Sequence, residues 1–185
     1  MNDIYHALDR LMTEYVAAVQ RRHNRLPSVP HDSEWPSLAI VRTEGDEAFW
    51  QPTRRHDPLT FDGLSRALEI DIPEACAAFY GRYWSASIPV IWGERPFELL
   101  QLWNDEDQNN LMHNLLGHSL EKKRVREPLT LFFALVDDAR FLSIDLASGA
   151  VMLEEIDGPR PEEVAADLGA LLADVTAVAA IDDPS

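Results

Sequence analysis

The chain has 185 residues, 46% of them hydrophobic, and a formal net charge of −16 at pH 7. Its length and composition indicate one globular domain that can bury a core of its own. The negative charge argues against nucleic acid and anionic lipid as direct ligands, because proteins bind both through lysine and arginine. It favours either a basic protein partner or a role in solubility alone.

No export or membrane-spanning signal is evident in the sequence. The first residues, 1–11, carry an early acid and lack a basic start followed by an apolar block, so no signal peptide is predicted. No apolar run approaches the ~20 residues that span a bilayer. A single cysteine, Cys76, excludes an internal disulfide framework and fits a reducing compartment. We therefore expect a soluble, cytosolic chain.

Helices lead the chain. Apolar residues recur at intervals of three and four from Ile4 to Val19, which predicts a helix over residues 2–25 that ends before Pro27. A short helix is predicted over residues 61–70. Another is predicted with Pro73 at its first position, and it would carry residues as far as Trp84. Between the first two helices, a loop anchored by Trp35 is predicted at 28–36 and a strand at 38–41. They are followed by an acidic turn at 44–47, an edge strand at 49–52 that includes Pro52, and a loop at 53–60.

Residues 96–126 combine strand and helix signals. Two extended runs, 87–92 and 97–103, have the spacing of a hairpin. Acids open the next segment and bases close it, which complements a helix dipole and predicts a helix over 105–124. Its core-facing stripe is expected to be Leu111, Met112, Leu115, Leu116 and Leu120.

Extended segments dominate the rest of the chain. The runs 129–136, 140–146 and 150–155 predict an antiparallel meander. Pro161, with Glu162 and Glu163, predicts the start of a last helix. The core face of that helix is expected to be Val164, Leu168, Leu171, Leu172 and Val175.

The segregation of strands from helices predicts an α+β fold. We expect a single domain over residues 1–181, with N-terminal, central and C-terminal helices packed on a central, largely antiparallel sheet. A flexible tail is expected at residues 182–185.

Patterns typical of catalysis are weak in this chain. His113 and His118 are five residues apart and would diverge on a helix, whereas paired metal ligands need a spacing of three or four. The run from Ser119 to Lys122 matches Ser-x-x-Lys, but its companion motifs are missing and it is expected at the exposed end of a helix. Cys76 lies among alanines, which indicates a buried thiol. We predict no catalytic, cofactor-binding or metal site.

Several short motifs, each weak alone, follow one another in a characteristic order. They are residues 48–52, 79–80, 99–107, 114–118, 123–124, 128–132, 142–144 and the 148–149 turn before Val151. Together they resemble the family of SecY-interacting Syd proteins over nearly the whole chain. Residues 68–80 are similar to an early helix of the wider SMI1/KNR4 superfamily, with an Ile-Pro start followed by an aromatic residue.

The resemblance implies an α+β protein without catalysis or cofactor. Such a protein binds SecY, the channel of the Sec translocase, as a peripheral protein on the cytoplasmic side of the inner membrane. There it would monitor or restrain abnormal or uncomplexed SecY. The wider superfamily includes many toxin-immunity proteins, so neutralisation of a toxin domain is the alternative. A small-molecule enzyme would need a closed pocket with convergent polar groups.

Charge suggests where a partner would bind. Cytoplasmic loops of membrane proteins are rich in lysine and arginine, so an acidic concave surface is expected to meet a basic loop. The acids expected to be exposed in or beside the central elements are Asp62, Glu69, Asp71, Glu74, Glu94, Asp105, Glu106, Asp107 and Glu121. Each of them fits a solvated face as well. The basic cluster Lys122, Lys123, Arg124 and Arg126 fits either a helix end or a weak lipid contact.

Overall fold

The computed structural model describes residues 2–180, in which helices and strands form an α+β fold. The helices are α1 (Asn2–His23), α2 (Asp62–Leu68), α3 (Glu74–Tyr80), α4 (Asp105–Val125) and α5 (Leu168–Asp174). The strands are β1 (Ser28–Pro30), β2 (Ile40–Glu44), β3 (Glu47–Trp50), β4 (Thr53–Arg54), β5 (Tyr83–Trp84), β6 (Ile88–Trp92), β7 (Arg95–Leu99), β8 (Thr130–Leu135), β9 (Arg140–Asp145), β10 (Val151–Glu155), β11 (Glu162–Ala165) and β12 (Thr176–Ala177). The tail predicted at 182–185 lies outside the described residues.

The predicted antiparallel sheet is confirmed. Seven strands pair in the order β11-β10-β9-β8-β7-β6-β12, and each neighbouring pair is antiparallel. It contains the predicted β6–β7 hairpin and the β8–β9–β10 meander. A three-stranded sheet, β1-β3-β2, and a two-stranded ribbon, β4-β5, lie apart from it. No helix within residues 2–180 has the length and apolarity needed to cross a membrane.

Helix α1 closes one side of the core. Most of its predicted apolar stripe is buried, with Leu8 and Leu11 both at 0% exposure, although Tyr15 is only half-buried. The helix contacts α3, α5, β6 and β12. Burying a leucine side chain contributes roughly 1.5–3 kcal/mol. Asp9 fixes the outer face of the helix by accepting hydrogen bonds from Arg54 (2.7 Å), Arg82 (2.7 and 2.9 Å) and Tyr83 (2.7 Å).

Helix α4 begins and ends almost where the sequence predicts. The Asn104 side chain accepts a hydrogen bond from the Asp107 amide (2.8 Å), and the Asp107 carboxylate accepts one from the Trp103 amide (2.9 Å). This reciprocal arrangement satisfies two amides at the start of the helix. Arg126 ends α4 in the left-handed conformation, with φ of 61°. In the predicted apolar stripe Leu111 and Leu115 are buried, but Leu120 is 47% exposed.

Three predictions for residues 28–54 are wrong. Residues 28–30 form strand β1 instead of loop, because they pair with β3. Strand β3 is not an edge strand, since it lies between β1 and β2, and Pro52 follows its end. Thr53 and Arg54 form β4 inside a predicted loop.

The neighbouring boundaries also shift. The strand expected at 38–41 begins at Ile40 and continues to Glu44. The expected acidic turn therefore narrows to Gly45 and Asp46, because Glu44 and Glu47 pair with each other. The strand expected at 97–103 is β7, which ends at Leu99.

Two helix predictions are also wrong. Helix α3 ends at Tyr80, so Tyr83 and Trp84 are not helical but form β5 against β4. At the other end of α3, Pro73 is the N-cap residue rather than the first helical residue. Residues 162–165 do not open a helix; they form β11 along β10. The last helix begins after Asp167, whose side chain caps it by accepting from the Ala170 amide at 2.8 Å. Val164 is therefore a strand residue.

Candidate binding cleft

One loop crosses the start of α4. We call residues 31–39 the strap. The Ser37 hydroxyl donates a hydrogen bond to the Trp103 carbonyl (2.5 Å), and the Trp103 indole donates one to the Trp35 carbonyl (3.1 Å). The side-chain nitrogen of Asn104 donates a third to the Pro36 carbonyl (2.9 Å). Trp35 packs against the core, as predicted. The strap is thereby held at a fixed position beside the helix.

The outer side of the strap forms an acidic cleft of about 450 Å³ with the first turn of α4. Glu34, Asp105 and Glu106 supply its carboxylates, and Leu38 and Trp84 supply apolar surface. Leu38 is 75% exposed, so its side chain is available for contact. Within residues 2–180 the carboxylates of Glu34 and Glu106 have no ion-pair partner. The acidic cleft therefore presents free negative charge beside an apolar surface.

The inner side of the strap borders a second cavity, of about 270 Å³, which we call the inner cavity. It lies among the three-stranded sheet, the segment 85–87 and residues 101–107. Its lining residues are Val29, Pro30, Asp32, Trp35, Ile40, Ala48, Ser85, Ala86, Ser87, Gln101, Trp103 and Asp107. Two carboxylates and no basic side chain are among them. Strap residues 34, 36 and 38 line the acidic cleft and residues 32 and 35 line the inner cavity, so the two are neighbours.

One arginine lies close to the acidic cleft. The guanidinium of Arg55 stacks over the Trp84 ring at 3.7 Å from its centroid and donates to the Gln108 side chain at 2.6 Å. Burial lowers the pKa of Arg55, and the charges of Asp105 and Asp57 oppose that shift. Arg55 therefore offsets part of the negative charge of Asp105, while the carboxylates of Glu34 and Glu106 have no ion-pair partner within the described residues.

The structure brings only part of the predicted acidic set together. Asp105 and Glu106 are exposed at the acidic cleft, whereas Asp107 is half-buried, lines the inner cavity and holds the start of α4 through the Trp103 amide. Sequence reasoning missed Glu34 and Asp32. The signal that identifies them is a pair of acids, two positions apart, directly before an anchoring tryptophan in a proline-rich loop.

The other predicted acids are exposed but lie elsewhere. Glu94 lies in the β6–β7 turn, at the opposite end of that hairpin from the strap. Glu121 is sixteen positions after Asp105, roughly 24 Å along α4, and pairs with Arg124. Glu69 lies near the same end of α4, because Lys123 donates to the neighbouring Leu68 carbonyl at 3.4 Å. The remaining three, Asp62, Asp71 and Glu74, lie on or between α2 and α3.

The sequence predicted that the segment from Ser119 to Lys122 lies at an exposed helix end, and this prediction is wrong. Ser119 is 0% and Lys122 5% exposed, because this side of α4 packs on the sheet. Lys122 forms a buried ion pair with Glu154 on β10. Glu154 also accepts hydrogen bonds from Thr130 (2.6 Å) and from Ser143. Lys122 therefore does not belong to an exposed basic cluster.

The histidines and the cysteine are dispersed. His113 is exposed, while His118 faces Phe132 and Phe141 and lies 3.1 Å from the Thr130 hydroxyl, so the predicted divergence is confirmed. Burial lowers the pKa of His118 and raises the pKa of Cys76 to about 12. Cys76 is buried, as predicted. In the part of the chain that the structure describes, no three His, Cys, Asp or Glu residues group to hold a metal ion.

Comparison with known proteins identifies the family. A family model described as Syd protein (SUKH-2) matches residues 5–177, so the chain belongs to that family. The curated relatives include Protein Syd of Pseudoalteromonas atlantica, 36% identical over 174 residues, with 91% of this chain and 93% of the relative covered. Protein Syd of Hahella chejuensis is 37% identical over 166 residues, with 83% and 85% covered. Protein Syd of Aliivibrio salmonicida is 33% identical over 162 residues, with 87% and 88% covered.

Proposed function

We propose that this protein binds the SecY subunit of the Sec translocase at the cytoplasmic face of the inner membrane, through its acidic cleft. The observation that carries the proposal is the pair of unpaired carboxylates, Glu34 and Glu106, on either side of a cleft with an apolar wall. Membership of the Syd family supports SecY as the partner. The protein acts by binding rather than by catalysis, without a cofactor.

The chemistry of the acidic cleft suits a basic loop. Cytoplasmic loops of membrane proteins carry an excess of lysine and arginine. Their ammonium and guanidinium groups pair with Glu34, Asp105 and Glu106, while the aliphatic parts of the same side chains cover Leu38 and Trp84. The charges select the partner and speed association, and the apolar contact slows release. Asp107 supports the site by fixing the start of α4.

Regulation follows from which SecY molecules offer such a loop. A loop covered by another protein is not free, whereas an uncomplexed or abnormal SecY leaves it exposed. A ligand that binds one state shifts the population towards that state. Binding of this protein would therefore hold uncomplexed SecY in a restrained state.

Membrane association is peripheral and depends on the partner. A net charge of −16 opposes direct adhesion to anionic lipid. The basic residues at the end of α4 do little to change this, because Lys122 is buried and Arg124 is paired with Glu121. The unbound protein stays in the cytoplasm.

The test compares two double variants that remove the same charge. Glu34→Gln/Glu106→Gln neutralises the acidic cleft, and Glu94→Gln/Glu163→Gln neutralises two exposed residues far from the strap. Each is offered to SecY in lipid nanodiscs at low and at physiological salt. We expect the cleft variant to bind at least tenfold more weakly, while the distant variant binds within twofold of wild type. The thermal melt of both should match wild type.

Two outcomes count against the proposal. If the wild-type protein does not retain SecY from nanodiscs or from solubilised inner membranes at low salt, the partner is wrong. If the cleft variant and the distant variant bind SecY equally well, the acidic cleft is not the binding site.

A further inference from the structure

Two side-chain oxygens beside the inner cavity have no hydrogen-bond partner among the described residues. They are Gln101 Oε1 and Ser85 Oγ, and both residues line the cavity. Gln101 is 6% exposed and Ser85 is 0% exposed. Buried polar atoms without a partner are uncommon and destabilising in folded proteins. A ligand that donates hydrogen bonds into the cavity accounts for both of them.

The orientation of the Gln101 amide shows what that ligand must provide. Its Nε2 donates to the Leu100 carbonyl at 2.9 Å, and a carbonyl oxygen only accepts. The amide oxygen is therefore the free atom, and the group it lacks is a donor. The Ser85 hydroxyl can accept a hydrogen bond from the same group.

The charge of the cavity indicates that the donor is cationic. Asp32 and Asp107 line it, and no Lys, Arg or His is among the lining residues. Asp107 uses Oδ2 to accept from the Trp103 amide, and Asp32 uses Oδ1 to accept from the Glu34 amide. Each carboxylate keeps its second oxygen. A positive charge would thus be balanced by two acids that the fold already holds in place.

The size and the lining of the inner cavity favour an amino-acid side chain as the ligand. The volume of about 270 Å³ lies just below the ~300–1,000 Å³ range of pockets for drug-sized ligands. Trp35, Trp103 and Ile40 provide walls for an aliphatic stem. Arginine fits better than lysine, because its planar guanidinium offers five donors to several acceptors and stacks on aromatic rings.

We propose that the inner cavity is an arginine subsite, in which a guanidinium donates to Gln101 Oε1 and Ser85 Oγ and is balanced by Asp32 and Asp107. This rests on the proposed function in one respect: the arginine belongs to the basic segment of the partner whose neighbouring residues occupy the acidic cleft. The strap separates the two sites, so consecutive parts of one segment reach both.

The subsite is tested first without any partner. Isotope-labelled protein is titrated with N-acetyl-arginine methylamide and, in parallel, with the citrulline derivative, which has the same shape without the charge. We expect saturable chemical-shift changes at residues 85–87 and 101–107 and at the Trp103 indole N–H. The citrulline derivative should bind at least tenfold more weakly. Equal responses to the two compounds, or responses confined to other residues, would overturn the proposal.

Two variants separate binding from folding. Gln101→Met keeps the volume but removes both the free oxygen and the hydrogen bond to the Leu100 carbonyl, whose effects on stability oppose each other, so we expect a melting temperature near that of wild type together with at least tenfold weaker arginine binding. Ser85→Ala removes a hydroxyl that has no partner and should weaken arginine binding in the same direction. Gln51→Met, an exposed position outside the cavity, is the matched control and should bind as wild type does. Wild-type affinity in both cavity variants would refute the subsite.

A third arm repeats the titrations with SecY nanodiscs. A response to the arginine derivative without SecY binding would overturn the proposed function and retain the subsite. SecY binding without any response to the arginine derivative would overturn the subsite and retain the proposed function.

Discussion

Lys122 shows how a single residue can have a structural role that its sequence neighbourhood hides. It stands in a basic run at the end of α4, yet it is buried against Glu154, whose carboxylate also accepts hydrogen bonds from the hydroxyls of Thr130 and Ser143. The periodicity of α4 marks its leucines as core residues but says nothing about a charged partner 32 residues away. The long-range pairing that buries Lys122 exists only in the folded sheet.

Replacement of Lys122 tests this role. Lys122→Met would leave Glu154 buried without its counter-charge, which costs about 3–5 kcal/mol in comparable buried pairs. We expect a loss of that order in the free energy of unfolding, measured by urea denaturation at pH 7. The neighbouring Lys123→Met is the control, because Lys123 is exposed and should change stability by less than ~0.5 kcal/mol. Similar stability in the two variants would contradict a structural role for the pair.

At the scale of single elements, the start of α4 joins stability to the candidate site. The same Asn104 side chain caps the helix through its oxygen and holds the strap through its nitrogen. The acidic residues at positions 105–107 predicted this helix end correctly, because the dipole and capping signals are local. The strap was not predictable as part of the site, since its contacts join residues more than 60 positions apart.

Two substitutions at Asn104 separate these contacts. Asn104→Ala should cost about 1 kcal/mol through the lost cap and should also release the strap. Asn104→Asp keeps a capping oxygen and loses only the donor to Pro36, so its unfolding free energy should stay near that of wild type. Hydrogen exchange at residues 32–38 should be faster than wild type in both variants. Unchanged exchange in Asn104→Asp would mean that this hydrogen bond does not hold the strap.

The errors in the element predictions share a cause. Residues 162–165 carry a helix-start pattern but pair with β10, and residues 28–30 look like loop but pair with β3. In both cases a partner strand elsewhere in the chain overrides the local preference. The β8–β10 meander was predictable because consecutive strands joined by short turns depend on nearby sequence alone.

At the scale of the whole molecule, the net charge of −16 sets a long-range field. Such a field speeds association with a basic partner, and dissolved salt screens it over ~8 Å at physiological ionic strength. We expect the association rate with SecY nanodiscs to fall at least tenfold as the Debye length shortens from roughly 14 Å to roughly 6 Å between about 50 and 300 mM salt, with a smaller change in the dissociation rate. Stopped-flow or surface-based kinetics measure both rates. A salt-independent association rate would point to an apolar interface instead.

The contact between α1 and the last elements has a consequence for synthesis on the ribosome. Arg10 donates to the carbonyls of Leu172 (2.7 Å) and Val175 (3.0 Å), and α1 packs on α5 and β12. The apolar stripe of α1 thus finds its final cover only after residue 177 has left the exit tunnel. Helix α3 and strand β6 can cover part of the stripe earlier, but the part that packs on α5 and β12 stays open to chaperones until then, so the core is completed late in synthesis.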